Sequence, residues 1–410
     1  MKRPIAIGLA PNVSLADARI ALREIVNPLS YTKGNATIVL EKWFEHYFSG
    51  SAIAFTSGRG ALYAILKALD IGQDDEVILQ AFTCAAVVQA VLSTGAKPIF
   101  CDITNSFTLD SASIQEKLTK KTKVILFQYT FGIAGDIEKI RKLSKEKNIY
   151  LIEDAAHTIG GKYNGTKLGT FGDASIFSFG RDKAYSCTSG GIAFTKDTLL
   201  ADKLKKFAKQ KKYPTRFWIF QNLLHPIAFY FLILPFYSIF VGKVLLFCLQ
   251  RLKLLSFPVD IATTRISHED IKKLPPALAS LVLAQLKNIE KVNNKRLEIT
   301  SLYEEKLFNV NKQHFEQPLL RYPILVEDQK KARNIFRKNG ILVGNWYSNI
   351  IDPKGVDLKK FNYISGSCPN AERIAEKIIN LPTYFSLAEK DIHKLIRLFN
   401  HYVANTTDTK

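Results

Sequence analysis

Residues 151–191 read LIEDAAHTIGGKYNGTKLGTFGDASIFSFGRDKAYSCTSGG, and two apolar runs in this stretch frame its chemistry. The first, within IYLIEDA (149–155), is the near-continuous apolar pattern of a strand buried on both faces. Asp154 and His157 arrive as it ends. The second run closes on Ser178, and Lys183 follows in a Gly-flanked loop. Strands of the same kind are expected upstream at SAIAFTSG (51–58), DEVILQ (75–80), KPIFCDI (97–103) and TKVILFQYT (122–130). Between them RGALYAILKALDI (59–71), TCAAVVQAVLSTG (83–95) and DIEKIRKLSKEKN (136–148) carry apolar residues at helical spacing. Repeated strand–helix alternation predicts a doubly wound α/β domain, its sheet mostly parallel with helices on both faces. Ligands of such sheets sit at the carboxyl ends of the strands, where these polar residues fall.

The chain has 410 residues and ordinary globular composition, 47% hydrophobic and 23% charged, which excludes collagen-like, disordered and disulfide-scaffold classes. Lys and Arg number 57 against 37 Asp and Glu, a formal charge of +20. Such an excess suits an anionic partner: a phosphate ligand, nucleic acid or an acidic membrane surface. No base-reading motif accompanies it, so nucleic acid is not expected. Five cysteines with no CxxC pair read as reduced thiols, not a disulfide or metal framework. The N-terminal stretch has no long apolar run, so no cleaved signal is expected. Four regions are expected: a large domain at 1–202, a basic and apolar insertion at 203–256, a connecting region at 257–307 built on one long helix (274–307), and a small α+β domain at 308–410.

A carboxylate at one strand end and a lysine 29 residues later at the neighbouring end (183 − 154) suit pyridoxal phosphate. The lysine amine can bond the cofactor once deprotonated, and the carboxylate keeps the pyridine nitrogen protonated so that the ring is an electron sink. Ser178 can contact a phosphate. Thr56, Ser57, Gly58 and Arg59 lie between a strand and a helix, where backbone amides form an anion cradle. Asn345, Trp346 and Tyr347 are candidates for lining a substrate pocket.

These segments, with GQDDEVILQAFT, STGAKPIFCDI and ALASLVLAQLKNIEKVNNKR, resemble the DegT/DnrJ/StrS-type aminotransferases, fold type I pyridoxal-phosphate enzymes that mostly aminate keto-sugars. The resemblance covers roughly 5–205 and 270–400. It implies that Lys183 is the Schiff-base lysine, Asp154 the pyridinium partner, Ser178 a phosphate ligand, and Gly58 and Arg59 part of the phosphate-binding turn beside Ser57. His157 matches a position beside the ring. The ring-stacking aromatic of the family, two residues after Phe82, is Cys84 here, which leaves the stack altered or taken over by Phe82 or His157. The motif that sends an Asn to the partner's phosphate is not recognisable before Leu274. A homodimer is implied all the same, with the partner subunit's Arg265 or the partner subunit's His268 as replacements. The FSFGRDK variant resembles a subgroup in which a hydrophobic insertion is usual. The expected activity is an aminotransferase acting on a keto-sugar borne on a nucleotide or lipid diphosphate, with glutamate as amino donor, in cell-envelope polysaccharide or glycolipid synthesis. A sugar dehydratase of the same family carries His in place of the lysine, so Lys183 argues against it. A non-catalytic membrane-associated regulator or scaffold that keeps the fold is the other alternative.

The insertion breaks the pattern. KLKKFAKQKKYPTR (203–216) carries seven Lys and Arg, and FWIFQNLLHPIAFYFLILPFYSIFVG (217–242) runs 26 residues with no Asp, Glu, Lys or Arg. That exceeds the ~20 residues that span a bilayer, but the domains on either side must share one compartment. Basic flanks, aromatic content and Pro226 and Pro235, each expected to break the helix, predict a hairpin lying in an anionic cytoplasmic membrane face.

Overall fold

The structure, a computed structural model, describes residues 3–255, 263–308 and 314–407. Its centre is a seven-stranded sheet: β1 (Ser51–Phe55), β2 (Glu76–Gln80), β3 (Lys97–Cys101), β4 (Thr122–Gln128), β5 (Tyr150–Asp154), β6 (Ala174–Ser178) and β7 (Gly191–Thr195), in spatial order β1-β7-β6-β5-β4-β2-β3. All neighbouring pairs are parallel except those of β7, which runs antiparallel to β1 and β6. The apolar runs of the sequence become strands because helices cover both faces, and Val77, Ile78, Val124, Ile125 and Ile152 are fully buried. The reversed direction of β7 puts its first residue, Gly191, at the carboxyl edge, paired with both Phe55 and Ser178.

A small domain is built on the antiparallel pair β8 (Arg321–Leu325) and β9 (Ile378–Pro382), with helices at Gln329–Lys338, Pro369–Lys377 and Glu389–Thr407. Ile5–Ala6 pairs with Ile341–Leu342, so the N-terminal segment is tied to this domain. The single helix expected over 274–307 is two, α5 (Pro276–Leu286) and α6 (Ile289–Lys306). Asn288 leaves helical geometry between them at φ −112 and ψ 23.

The insertion also departs from local rules. Arg216–Phe236 is one continuous helix, α3, that passes through both prolines, followed by α4 (Val241–Arg251). Two features replace what the prolines remove. Pro226 cannot donate to Asn222, but the Thr188 hydroxyl reaches the Asn222 carbonyl at 3.1 Å. Ahead of Pro235 the helix widens into a π segment at Ala228–Ile233, which lets the ring in without a break. The turn into α4 is tight: a Cβ on Gly242 would lie 2.2 Å from the Ile233 carbonyl oxygen. The inner side of α3 joins the core through Ile219, Leu223, Phe229 and Ile233. The insertion boundary expected at 256–257 lies outside the described residues.

Candidate active site

The carboxyl edge of the sheet collects the side chains on which the sequence reading rests. Asp154 ends β5, buried, with Oδ1 accepting the Ala156 amide at 3.0 Å. Lys183 follows β6 in a loop held by the Lys183 amide to the Gly180 carbonyl (3.0 Å) and the Phe179 amide to the Gly190 carbonyl (2.8 Å). The Lys183 carbonyl takes a 2.7 Å hydrogen bond from the Asn12 amide, a partner from the N-terminal segment. Burial pushes the Lys183 ammonium down to about 8, the Asp154 carboxylate pulls it back up, and Arg321 pushes it down again. Burial raises Asp154 above the usual carboxylate range, against the opposing pull of Lys183. The two groups are therefore electrostatic neighbours, each moderating what desolvation does to the other.

His157 is buried, and burial with the Lys183 and Arg321 charges holds it well below its ordinary pKa, so it is neutral. Its Nδ1 accepts the Phe131 amide at 3.0 Å, which leaves the proton on Nε2, 3.3 Å from the Tyr347 hydroxyl oxygen. Trp346 lies nearly parallel to the His157 ring, 5.4 Å away at 14°. Lys183 Nζ stands 4.9 Å from the Trp346 ring centroid. Trp346 thus sits beside the lysine and Tyr347 beside His157, in the segment that the sequence offered as a pocket lining. Phe82 is fully buried and meets Tyr347 and Phe131 edge-on. Cys84 caps the helix Ala85–Thr94, bridges to Asp352, and its thiol is raised chiefly by burial.

At the other end of the site, Ser57 caps the helix Gly58–Ala68, with its hydroxyl accepting the Gly60 amide at 3.0 Å. A Cβ on Gly58 would lie 3.1 Å from Ser178 Cβ, so this first helical turn abuts Ser178. Gly191 is what permits the approach: a Cβ there would be 2.4 Å from the Gly58 nitrogen. The Arg59 side chain donates to Gln89 and is turned to that helix. A helix N-terminus, a serine hydroxyl, a buried carboxylate and a lysine poised near neutrality form a donor set that fits pyridoxal phosphate: anion at one end, protonated ring nitrogen and carbonyl carbon at the other.

Sequence reasoning missed Asn12, Gly191 and Arg321. Asn12 and Arg321 are far from residue 183 in the chain and carry no local motif. The double glycine at 190–191 was visible, but its reason appears only once β7 lies between β1 and β6.

The model of the DegT/DnrJ/EryC1/StrS aminotransferase family matches residues 15–219 and 270–400, and the chain belongs to that family. By family it is a pyridoxal-phosphate-dependent aminotransferase. Among relatives, UDP-N-acetyl-3-dehydro-alpha-D-glucosamine 3-aminotransferase of Acidithiobacillus ferrooxidans is 26% identical, covering 91% of this chain and 90% of that one. GDP-perosamine synthase of Escherichia coli O157:H7 is 39% identical over a match that covers 44% of this chain and 50% of that protein. The Bacillus subtilis protein NtdA, solved with bound cofactor PMP, has the same fold: TM-score 0.75 at 20% identity over 98% of this chain and 85% of that one.

The Lys183 amine is protonated below about 8 and neutral above it. Covalent capture of pyridoxal phosphate by cofactor-free protein, trapped with borohydride at fixed times, is therefore expected to accelerate as pH rises through that value and then level off. Asp154→Asn removes a charge that holds the amine pKa up, so the midpoint moves to lower pH. A midpoint unmoved by that substitution contradicts the coupling of the pair.

Proposed function

We propose that the protein transfers an amino group from glutamate to a keto-sugar carried on a diphosphate, for cell-envelope polysaccharide or glycolipid synthesis. The carrying observation is Lys183 beside Asp154 at the carboxyl edge of this family's fold. Two relatives named for amino-sugar chemistry on nucleotide-linked sugars support the substrate class. When bound, pyridoxal phosphate supplies an electron sink for the charge left when a proton departs from the amine-bearing carbon. Asp154 would hold the proton on the ring nitrogen. Ser178 and the amides that open Gly58–Ala68 would hold the phosphate, with Ser57 fixing that turn. Lys183 Nζ would take the proton from the donor's Cα; at a pKa of about 8, about a tenth of it is neutral at pH 7 before any ligand binds. His157, neutral and fixed by the Phe131 amide and Tyr347, would support the ring from the side.

The presence of lysine at 183 disfavours the dehydratase reading, and a lysine with a depressed pKa beside a buried carboxylate disfavours a scaffold that has lost chemistry. Lys183→Ala is expected to abolish glutamate-dependent amination and to leave no cofactor fixed by borohydride. Asp154→Ala is expected to lower activity by orders of magnitude with the fold retained. A Lys183→Ala protein that still transaminates refutes the assignment.

The working unit is proposed to be a homodimer with the site at its interface, the partner subunit's Arg265 or the partner subunit's His268 completing the phosphate contacts. Family resemblance and the exposure of Arg265 support it. Light scattering on active enzyme is expected to give twice the chain mass; a fully active monomer overturns it.

The insertion is proposed to rest on an anionic membrane surface. Phe231, Leu232, Ile239, Phe240, Val244 and Phe247 are each more than 40% exposed. Lys243 Nζ lies 5.3 Å from the Tyr237 and Phe240 ring centroids, as a side chain that reaches from an apolar face to headgroups. Basic residues near such a surface contribute about 1 kcal/mol each. Flotation with anionic liposomes should carry the protein upward, weakened but not abolished by salt. Protein that stays at the bottom of the gradient without detergent is membrane-independent.

A further inference from the structure

The loop between Lys183 and β7 is held from outside by the insertion, through one strained residue. Thr188, five positions after the lysine (188 − 183), stands at φ +74. That left-handed region crowds a β-branched side chain, and Thr188 adopts it while buried. Two hydrogen bonds hold it there. Its amide donates to Ser186 Oγ at 3.1 Å, within the loop, and its hydroxyl donates to the Asn222 carbonyl of α3 at 3.1 Å. Residue 226, whose amide a regular helix would offer to that carbonyl, is proline and has none. The next loop residue, Ser189, donates its hydroxyl to the Thr56 carbonyl at 2.6 Å, immediately before the Ser57 cap of Gly58–Ala68. On the lysine side Gln285 brackets Ser186: the Ser186 amide donates to Gln285 Oε1 at 2.7 Å, and Gln285 Nε2 donates to the Ser186 carbonyl at 2.8 Å. Thr188 therefore lies in the chain between Lys183 and the contact to the phosphate turn, and its hydroxyl ties that stretch to α3.

The turn of α3 that meets the loop is polar, although the rest of its inner side is not. Ile219, Leu223, Phe229 and Ile233 pack into the core, but Asn222 and His225 are buried with Asn222 Oδ1 and both His225 ring nitrogens unpartnered. His225 lines the same cleft as Thr188 and as Asn12, whose amide holds the Lys183 carbonyl. Buried polar atoms left unmade are costly. A segment that served as an anchor alone would place apolar side chains here, as α3 does at Ile219 and Phe229. We propose that Thr188 is a positioning residue for Lys183 and for the turn that holds the cofactor phosphate, with α3 as the strut it works against, so that the insertion is a structural part of the active site whatever its outer face meets; this rests on the reading in which Lys183 captures the cofactor. Without the Asn222 bond, Thr188 relaxes toward the negative φ that suits a β-branched residue. That rotation turns Ser189 away from Thr56 and shifts the backbone that carries Lys183, and the amine and the phosphate turn lose their common register.

The test uses full-length protein freed of cofactor and reloaded with pyridoxal phosphate. Covalent capture is trapped with borohydride at fixed times, and the cofactor dissociation constant is read from absorbance. Thr188→Val keeps the side-chain shape without the hydroxyl and is expected to slow capture and weaken cofactor binding about tenfold each, the scale of one buried hydrogen bond. Thr188→Ser keeps the hydroxyl and should stay within about threefold of wild type on both measures. Thr188→Gly separates strut from strain: glycine is at ease at φ +74 but cannot reach Asn222, so it should be impaired as Thr188→Val is. Wild-type capture and binding in Thr188→Val overturn the proposal, whatever the melting temperature does. A Thr188→Gly protein that matches wild type also overturns it, since the threonine then answers to its own backbone alone. If Thr188→Val does not fold, the other two variants decide, and the proposal requires Thr188→Ser to capture as wild type does and Thr188→Gly to fall behind. If wild type itself captures no cofactor, the Lys183 reading is what fails, and hydrogen exchange at the amides of 183–190 in cofactor-free protein decides the strut alone. Exchange should be faster in Thr188→Gly than in Thr188→Ser, and equal rates overturn it.

Discussion

The amide of Asn12 is the joint on which this arrangement turns. Its nitrogen donates to the Lys183 carbonyl at 2.7 Å and its oxygen accepts from Arg296 Nη2 at 3.1 Å. Arg296, 1% exposed, spends its other terminal nitrogen on the Leu319 and Leu320 carbonyls and the Thr383 hydroxyl. One side chain thus links the N-terminal segment, the lysine loop, helix α6 and the small domain. No carboxylate takes part. The two terminal nitrogens of the guanidinium are met by carbonyl, amide and hydroxyl oxygens while Nε has no partner, which fixes geometry without cancelling charge. Positions of Lys183 and of the small domain are therefore not independent: a shift of β8 passes through Arg296 and Asn12 to the backbone that carries the amine.

That uncancelled charge sets the electrostatics of the site. Arg296, Arg321 and Lys183 all have pKa values lowered chiefly by burial. Asp154 and Asp352 are both raised by it, Asp352 to about 6. Desolvation pushes each group toward neutrality; opposite charges within the site offset part of that cost, and ligand charges of opposite sign relieve more of it. A phosphate, a carboxylate and a diphosphate are such ligands. The overall charge of +20 is then less informative than where the buried positive groups stand.

Much of this was legible in the sequence, and the remainder was hidden for physical reasons. Continuous apolar runs identified the central strands because burial on both faces leaves no room for alternation. Lys183 and Asp154 were legible because strand ends bring them together at a fixed interval. The helix through Pro226 and Pro235 was not, because the local rule is right about the missing donor and silent about the replacement. Thr188 supplies a hydroxyl across 34 positions, and the π segment absorbs the second ring. Arg321 was invisible for the same kind of reason. In the sequence it is a surface-type residue at the head of an apolar run, and only the pairing of β8 with β9 and the absence of a side chain at Gly344 bring it against Trp346.

The insertion is joined to this machinery. Thr188, which serves the helix at Asn222, belongs to the loop that carries Lys183, and a cleft beneath that loop is lined by Asn12, Arg181, Thr188 and His225. His225 is buried with neither ring nitrogen bonded, stacked on Phe229 at 4.2 Å, and burial pushes it down to about 3, so it is neutral and apolar in effect. Arg216–Phe236 is long enough to cross a bilayer, yet half of its most apolar window is buried inside the protein. Moving that half into lipid would exchange packed contacts with the core for lipid contacts of similar polarity and would strip Asn222 of the Thr188 hydroxyl, with little apolar burial gained in return. The outer residues face no such conflict. On α4, Val241, Val244 and Phe247 recur at intervals of three and form one exposed stripe. A helix pair with one face spent on its own protein and one apolar face exposed can settle in the plane of an interface, and it keeps the lysine loop anchored while it does so.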